Sequence, residues 1–112
     1  HTGEAIVGNM GSSDRMNYTA LGDSVNLASR LEGTNKFYHT NIIISQEVYK
    51  EVEQTCLVRP LDIVAVKGKN EGVKIYELVS LLKGDPALLP TQSQIKFCEA
   101  FTKGFHLYLD QR

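Results

Sequence analysis

The stretch Asp23-Ser24-Val25-Asn26-Leu27-Ala28-Ser29-Arg30-Leu31-Glu32 sets the reading of the whole chain. Val25, Ala28 and Leu31 recur at every third position, which is the spacing of one apolar stripe on a helix. Asn26 and Arg30 lie four apart, so they project from one face a single turn from each other. Arginine carries a rigid fork of donors suited to phosphate, and asparagine brings a donor and an acceptor together. Two readings of that face stand side by side. It is a solvated polar surface with Arg30 paired to Glu32 or another carboxylate, or it points both groups into a ligand beside it.

Working outward, Glu4 to Met10 reads as a strand, and Gly11-Ser12-Ser13-Asp14-Arg15 is turn chemistry. Met16 to Leu21 returns antiparallel and completes a hairpin. Gly22 breaks that strand, and Asp23 or Ser24 supplies the cap of a helix reaching about Tyr38, with Gly33 as its weak point. Ile42-Ile43-Ile44 marks a short buried strand over Asn41 to Ser45. Ser45 caps a second helix through about Gln54, with Val48, Tyr49 and Val52 on its apolar side. Leu57 to Val66 and Val73 to Val79 read as two further strands, joined by the turn Lys67-Gly68-Lys69-Asn70-Glu71-Gly72.

Past Val79 the character changes. Gly84, Pro86 and Pro90 mark residues 81–92 as a linker, and residues 93–112 carry Phe97, Phe101 and Phe105 at every fourth position. The latter is an amphipathic helix that packs on the domain or on a second subunit. It also has the look of the start of a tetratricopeptide-like helical region.

A chain of 112 residues suits one small domain with a modest core. Its apolar fraction of 42% and charged fraction of 22% are those of an ordinary globular protein. A net charge of −1 gives no basic footprint for nucleic acid, and no apolar run is long enough for a membrane span. Cys56 and Cys98 lie in no metal or redox spacing and read as two buried free thiols of a reducing compartment. With no initiator Met and a dense motif at its first residues, the chain reads as a fragment of a longer protein.

Several chemistries fail on residue type. Gly3 and Gly8 have the glycine spacing of a Walker A loop, but Asn9-Met10 stands where Lys-Ser/Thr is required. His1, His39 and His106 are scattered, so no zinc spacing forms, and no serine sits in a nucleophile triad. Asp14, Asp62 and Glu71 read as solvated surface carboxylates, and Asp23 as a helix cap rather than a metal ligand.

Two separated words carry a resemblance. The first is His1-Thr2-Gly3-Glu4-Ala5-Ile6-Val7-Gly8-Asn9-Met10-Gly11 followed by Met16 to Arg30; the second is Val66-Lys67-Gly68-Lys69 before Ile75-Tyr76-Glu77-Leu78. In that order they closely resemble the second half of the catalytic domain of class III nucleotidyl cyclases, over residues 1–80. The resemblance implies an α+β, ferredoxin-like nucleotidyl cyclase fold, of which this chain holds part. Its sheet is mostly antiparallel with helices on one face, and a C-terminal helix follows. It implies a bacterial-type adenylate cyclase, a phosphorus–oxygen lyase making cyclic AMP from ATP in intracellular signalling.

By the same resemblance, Arg30 matches the arginine that stabilises charge on the α-phosphate. Asn26 matches the asparagine that orients the ribose, and Lys67 the lysine on the β/γ-phosphates. Thr19, seven residues before Asn26, stands where the family contacts the base; a hydroxyl there favours ATP over GTP. The two Mg or Mn ions of the intact enzyme are held by aspartates upstream of this chain, so the fragment is expected to be inactive alone. The partners implied are ATP and a second cyclase subunit in a head-to-tail homodimer, in a cytoplasmic domain whose parent is free or membrane-tethered. A guanylate cyclase and a degenerate nucleotide-binding or dimerisation module are the rival readings.

Overall fold

The computed structural model describes residues 1–12, 17–66 and 72–110. The chain opens with β1 (Ile6–Met10) and β2 (Asn17–Leu21), antiparallel with Ile6 opposite Leu21 and Gly8 opposite Thr19. Then come α1 (Asp23–Tyr38), β3 (Ile43–Ser45), α2 (Gln46–Val52), β4 (Cys56–Val64), β5 (Val73–Leu81) and α3 (Gln92–Asp110). The second sheet has the order β3-β5-β4, with both pairings antiparallel. The fold is α+β with antiparallel sheets and a C-terminal helix, and the expected order of elements is met throughout.

Alternation along β5 divides the helices between two faces. Ile75, fully buried, packs with Leu27 and Leu31 of α1, Ile43 of β3 and Leu61 of β4. Each such side chain contributes about 2 kcal/mol through its burial. Tyr76 points the opposite way and stacks on Tyr49 of α2, with ring centroids 4.2 Å apart, while Phe105 of α3 borders the same side. The expected single helical layer is thus shared between the faces, because β5 carries apolar groups on both.

Local chemistry corrects two caps. Neither Asp23 nor Ser24 caps α1: Gly22 is the N-cap at φ 138°, a backbone conformation natural to glycine, and no side chain bonds to the helix start. Asp23 lies in the first turn, where its charge suits the helix dipole. Ser45 does cap α2, its Oγ accepting from the Val48 amide at 3.4 Å, and it also contacts His1 Nδ1 at 2.8 Å. Gly3 serves as a close-approach residue rather than a strand position. A Cβ there would stand 2.1 Å from Ser24 Oγ, so its absence lets the leading segment lie against the start of α1.

The molecule is extended, measuring 55 × 40 × 24 Å with a radius of gyration of 16.9 Å. A compact domain of this size has about 13 Å. The β1–β2 hairpin explains part of the difference, since Ile6, Val7, Tyr18 and Leu21 are all exposed on it. Residues 82–91 include a 3-10 turn at Pro86–Leu88, closed by Asp85 Oδ1 accepting from the Ala87 amide at 2.9 Å. α3 docks on β4 through buried Cys98 and Phe105, and the Arg59 guanidinium lies over Phe101 and Phe97 at 4.7 and 5.4 Å. Arg59 is itself held by Glu77 Oε1 at 2.6 Å across the β4–β5 pair.

Candidate functional site

Gly22 fixes where the site begins. Its carbonyl accepts from the Asn26 amide at 3.1 Å, so Asn26 closes the first turn of α1 and Arg30 follows one turn later. Leu27 and Leu31 are buried in the core beneath them, which turns Asn26 and Arg30 outward as a pair of exposed side chains. Leu27, rather than Val25 or Ala28, joins Leu31 as the buried residue of this stripe; Val25 and Ala28 are half-buried.

Arg30 does not pair with Glu32. Its Nη1 donates to the carbonyl oxygen of Ala65 at 2.6 Å. That carbonyl is drawn out of any strand ladder, and β4 accordingly ends at Val64 instead of the expected Val66. Asp23, Asn26, Leu27 and Arg30 from the helix, with Ala65 and Val66 beyond the strand, line a cavity of about 180 Å³. An amide, a guanidinium and one carboxylate therefore converge over a partly apolar floor, an arrangement able to bind a polar, anionic ligand.

The other expected residues stand differently. Thr19 is exposed on β2 opposite Gly8 and does not line this cavity. Lys67 lies outside the described residues, as do Asp14 and Glu71; Val66 at the cavity rim immediately precedes Lys67. Asp62 is not a solvated surface group. It is half-buried, its Oδ2 accepting from the Tyr38 hydroxyl at 2.7 Å and its Oδ1 from the Ile63 amide. Burial, then the bond to Asp62, pushes the Tyr38 phenol up to about 12. Cys56 and Cys98 are both free and buried, and burial raises the Cys98 thiol.

Sequence reasoning missed the Ala65 carbonyl, since a backbone acceptor leaves no residue-type signal. The pairing of Arg59 with Glu77 is equally hidden, although both residues fall on strands that the pattern predicts. Among the described residues Asp23 is the only carboxylate that lines the cavity, and no three His, Cys, Asp or Glu side chains converge on a point.

Residues 1–80 match the adenylate and guanylate cyclase catalytic domain family. The chain belongs to that family. It is 43% identical over 83 residues to adenylate cyclase 1 of Rhizobium meliloti, covering 74% of this chain and 12% of the relative. To the terminal-differentiation specific adenylate cyclase of Dictyostelium discoideum it is 38% identical over 111 residues, 96% of this chain and 5% of the relative. The chain thus spans a small part of the length of these proteins. The crystal structure of the adenylyl cyclase CyaB from P. aeruginosa superposes with a TM-score of 0.53 at 35% identity, over 73% of this chain and 39% of that one. No helix among the described residues is long and apolar enough to cross a membrane.

Proposed function

We propose that this chain is part of an adenylate cyclase catalytic domain that converts ATP into cyclic AMP and pyrophosphate. The observation that carries the reading is Asn26 and Arg30 side by side on the exposed face of α1, over a cavity rimmed by Ala65 and Val66. The names of the relatives support ATP as substrate.

In this reading Asn26 holds the ribose so that its 3′-oxygen lines up with the α-phosphorus. Arg30 donates to the nonbridging oxygens as charge builds there. Lys67 neutralises the departing pyrophosphate, and the Thr19 hydroxyl accepts from the adenine amino group. In-line attack concentrates negative charge on nonbridging and leaving oxygens, and donors fixed beforehand lower that barrier without reorganising. Arg30 is fixed beforehand by Ala65. The divalent ions that cyclases of this family use would be held by residues beyond this chain. Residues 1–80 form the cyclase part, 81–92 a linker and 93–112 an amphipathic helix. In this reading Thr19, Asn26, Arg30 and Lys67 come from one subunit, and a second subunit in a head-to-tail dimer completes the site with the metal-binding aspartates.

The test uses the intact parent protein. Arg30→Ala and Asn26→Ala should each lower cyclic AMP formation by about a hundredfold or more, largely in kcat. Turnover equal to the unaltered enzyme would refute the assignment. ATP should be preferred to GTP, and Thr19→Cys should narrow that preference; a parent that turns over GTP better would favour the guanylate cyclase reading. The 112-residue chain alone should make no cyclic AMP.

A further inference from the structure

We propose that a second cavity, between α2, α3 and the β5 face turned away from α1, binds a small monocarboxylate with an apolar body, such as benzoate. Its volume is about 180 Å³. That is room for a small organic molecule. A single ring or a short chain fits a space of that size.

The walls supply the apolar half of the recognition. Tyr49 and Tyr76 stack nearly parallel, at 12° and 4.2 Å, and present a flat aromatic side. Buried Pro60 and Phe105 complete it. Thr102 contributes a methyl group, because its hydroxyl is committed to the Cys98 carbonyl at 2.7 Å.

The polar half comes from Lys74 on β5 and His106 on α3, which border the same cavity from two elements. Neither side chain has an ion pair among the described residues. A half-buried ammonium beside aromatic walls gains most from a carboxylate placed there, since the surrounding low dielectric strengthens the pair. Tyr76 remains a neutral donor: burial first, then Tyr49 and Glu53, raise its phenol above the ordinary range. Among the described residues Lys74 is the one lysine or arginine lining the cavity, which matches a single carboxylate. This site lies on the opposite side of β5 from the Asn26–Arg30 cavity and does not depend on the cyclase reading.

Benzoate titrated at constant ionic strength into the ¹⁵N-labelled 112-residue chain is the direct measurement. We expect saturable amide shifts centred on Lys74, Tyr76 and His106, with a Kd of about a millimolar for so small a ligand. Lys74→Met should weaken binding by about tenfold while Lys74→Arg retains it, and neutral benzamide should bind the unaltered chain about tenfold more weakly. Failure to saturate by about 50 mM benzoate, shifts centred on Asn26 and Arg30, or equal binding of benzamide would each overturn the proposal. The benzamide comparison needs no substitution, so it decides even where a variant folds poorly.

Discussion

Arg30 Nη1 donates to the carbonyl oxygen of Ala65 across 35 positions of sequence, at 2.6 Å. One bond thus ties the exposed face of α1 to the residues that follow β4. A guanidinium has five N–H donors, so this contact fixes its direction and leaves donors for an anion. Lysine has neither the fork nor a preset plane. Arg30→Lys should therefore release Ala65 and Val66, seen as faster amide exchange around Val66, and should recover little of the activity lost in Arg30→Ala. Unchanged exchange would show that the bond does not hold this rim.

Tyr38 joins the end of α1 to Asp62 on β4. Its phenol is raised from 10.0 to about 12, chiefly by burial. The folded chain keeps that proton over a range where the unfolded chain loses it. Stability from Tyr38 is accordingly complete below pH 10 and drains away as pH climbs toward 12. Tyr38→Phe should lower stability by about 1 kcal/mol at neutral pH and remove this alkaline loss. Urea unfolding at several pH values measures both; parallel pH profiles for the two proteins would contradict the argument.

Arg59 is the bolt between sheet and C-terminal helix, since it bonds Glu77 and underlies Phe97 and Phe101. Truncation to alanine leaves the Glu77 carboxylate half-buried without its partner and removes two ring contacts. A fully buried pair would cost about 3–5 kcal/mol to break; partial exposure here brings the expectation to about 2–3 kcal/mol. Arg59→Ala should speed hydrogen exchange in α3 far more than in α1. Uniform loss across both helices would mean that α3 is held by Cys98 and Phe105 alone.

His39 ends α1 in the left-handed region at φ 56°, a conformation that glycine adopts without strain. The residue is exposed. His39→Gly should raise stability by about 0.5–1 kcal/mol, because relief at this φ outweighs the added freedom of the unfolded chain. A lower midpoint in urea would indicate a role for the imidazole that the structure does not display.

The elements were legible because each is written in local chemistry. Ser45 before Gln46 announces a capped helix, and the β-branched run at Ile42–Ile44 announces a strand whose last two members are buried. The start of α1 is hidden in the sequence because glycine at a helix N-cap leaves no side-chain signature, while Asp23 and Ser24 look like caps and are not. Asp62 reads as a surface carboxylate in sequence because its partner, Tyr38, stands 24 positions away on another element.

Helical spacing made Asn26 and Arg30 neighbours before any tertiary contact formed, since four residues advance a helix by about one turn. The family words around them were equally independent of folding. Only the packed chain settled which side of β5 each helix would cover, that Arg30 would take a backbone carbonyl in place of Glu32, and that Lys74 and His106 would face one cavity. Those outcomes depend on long-range approach between elements. Residue order along the chain carries periodicity, whereas the partner of a donor is chosen by whichever acceptor the closed core delivers to it.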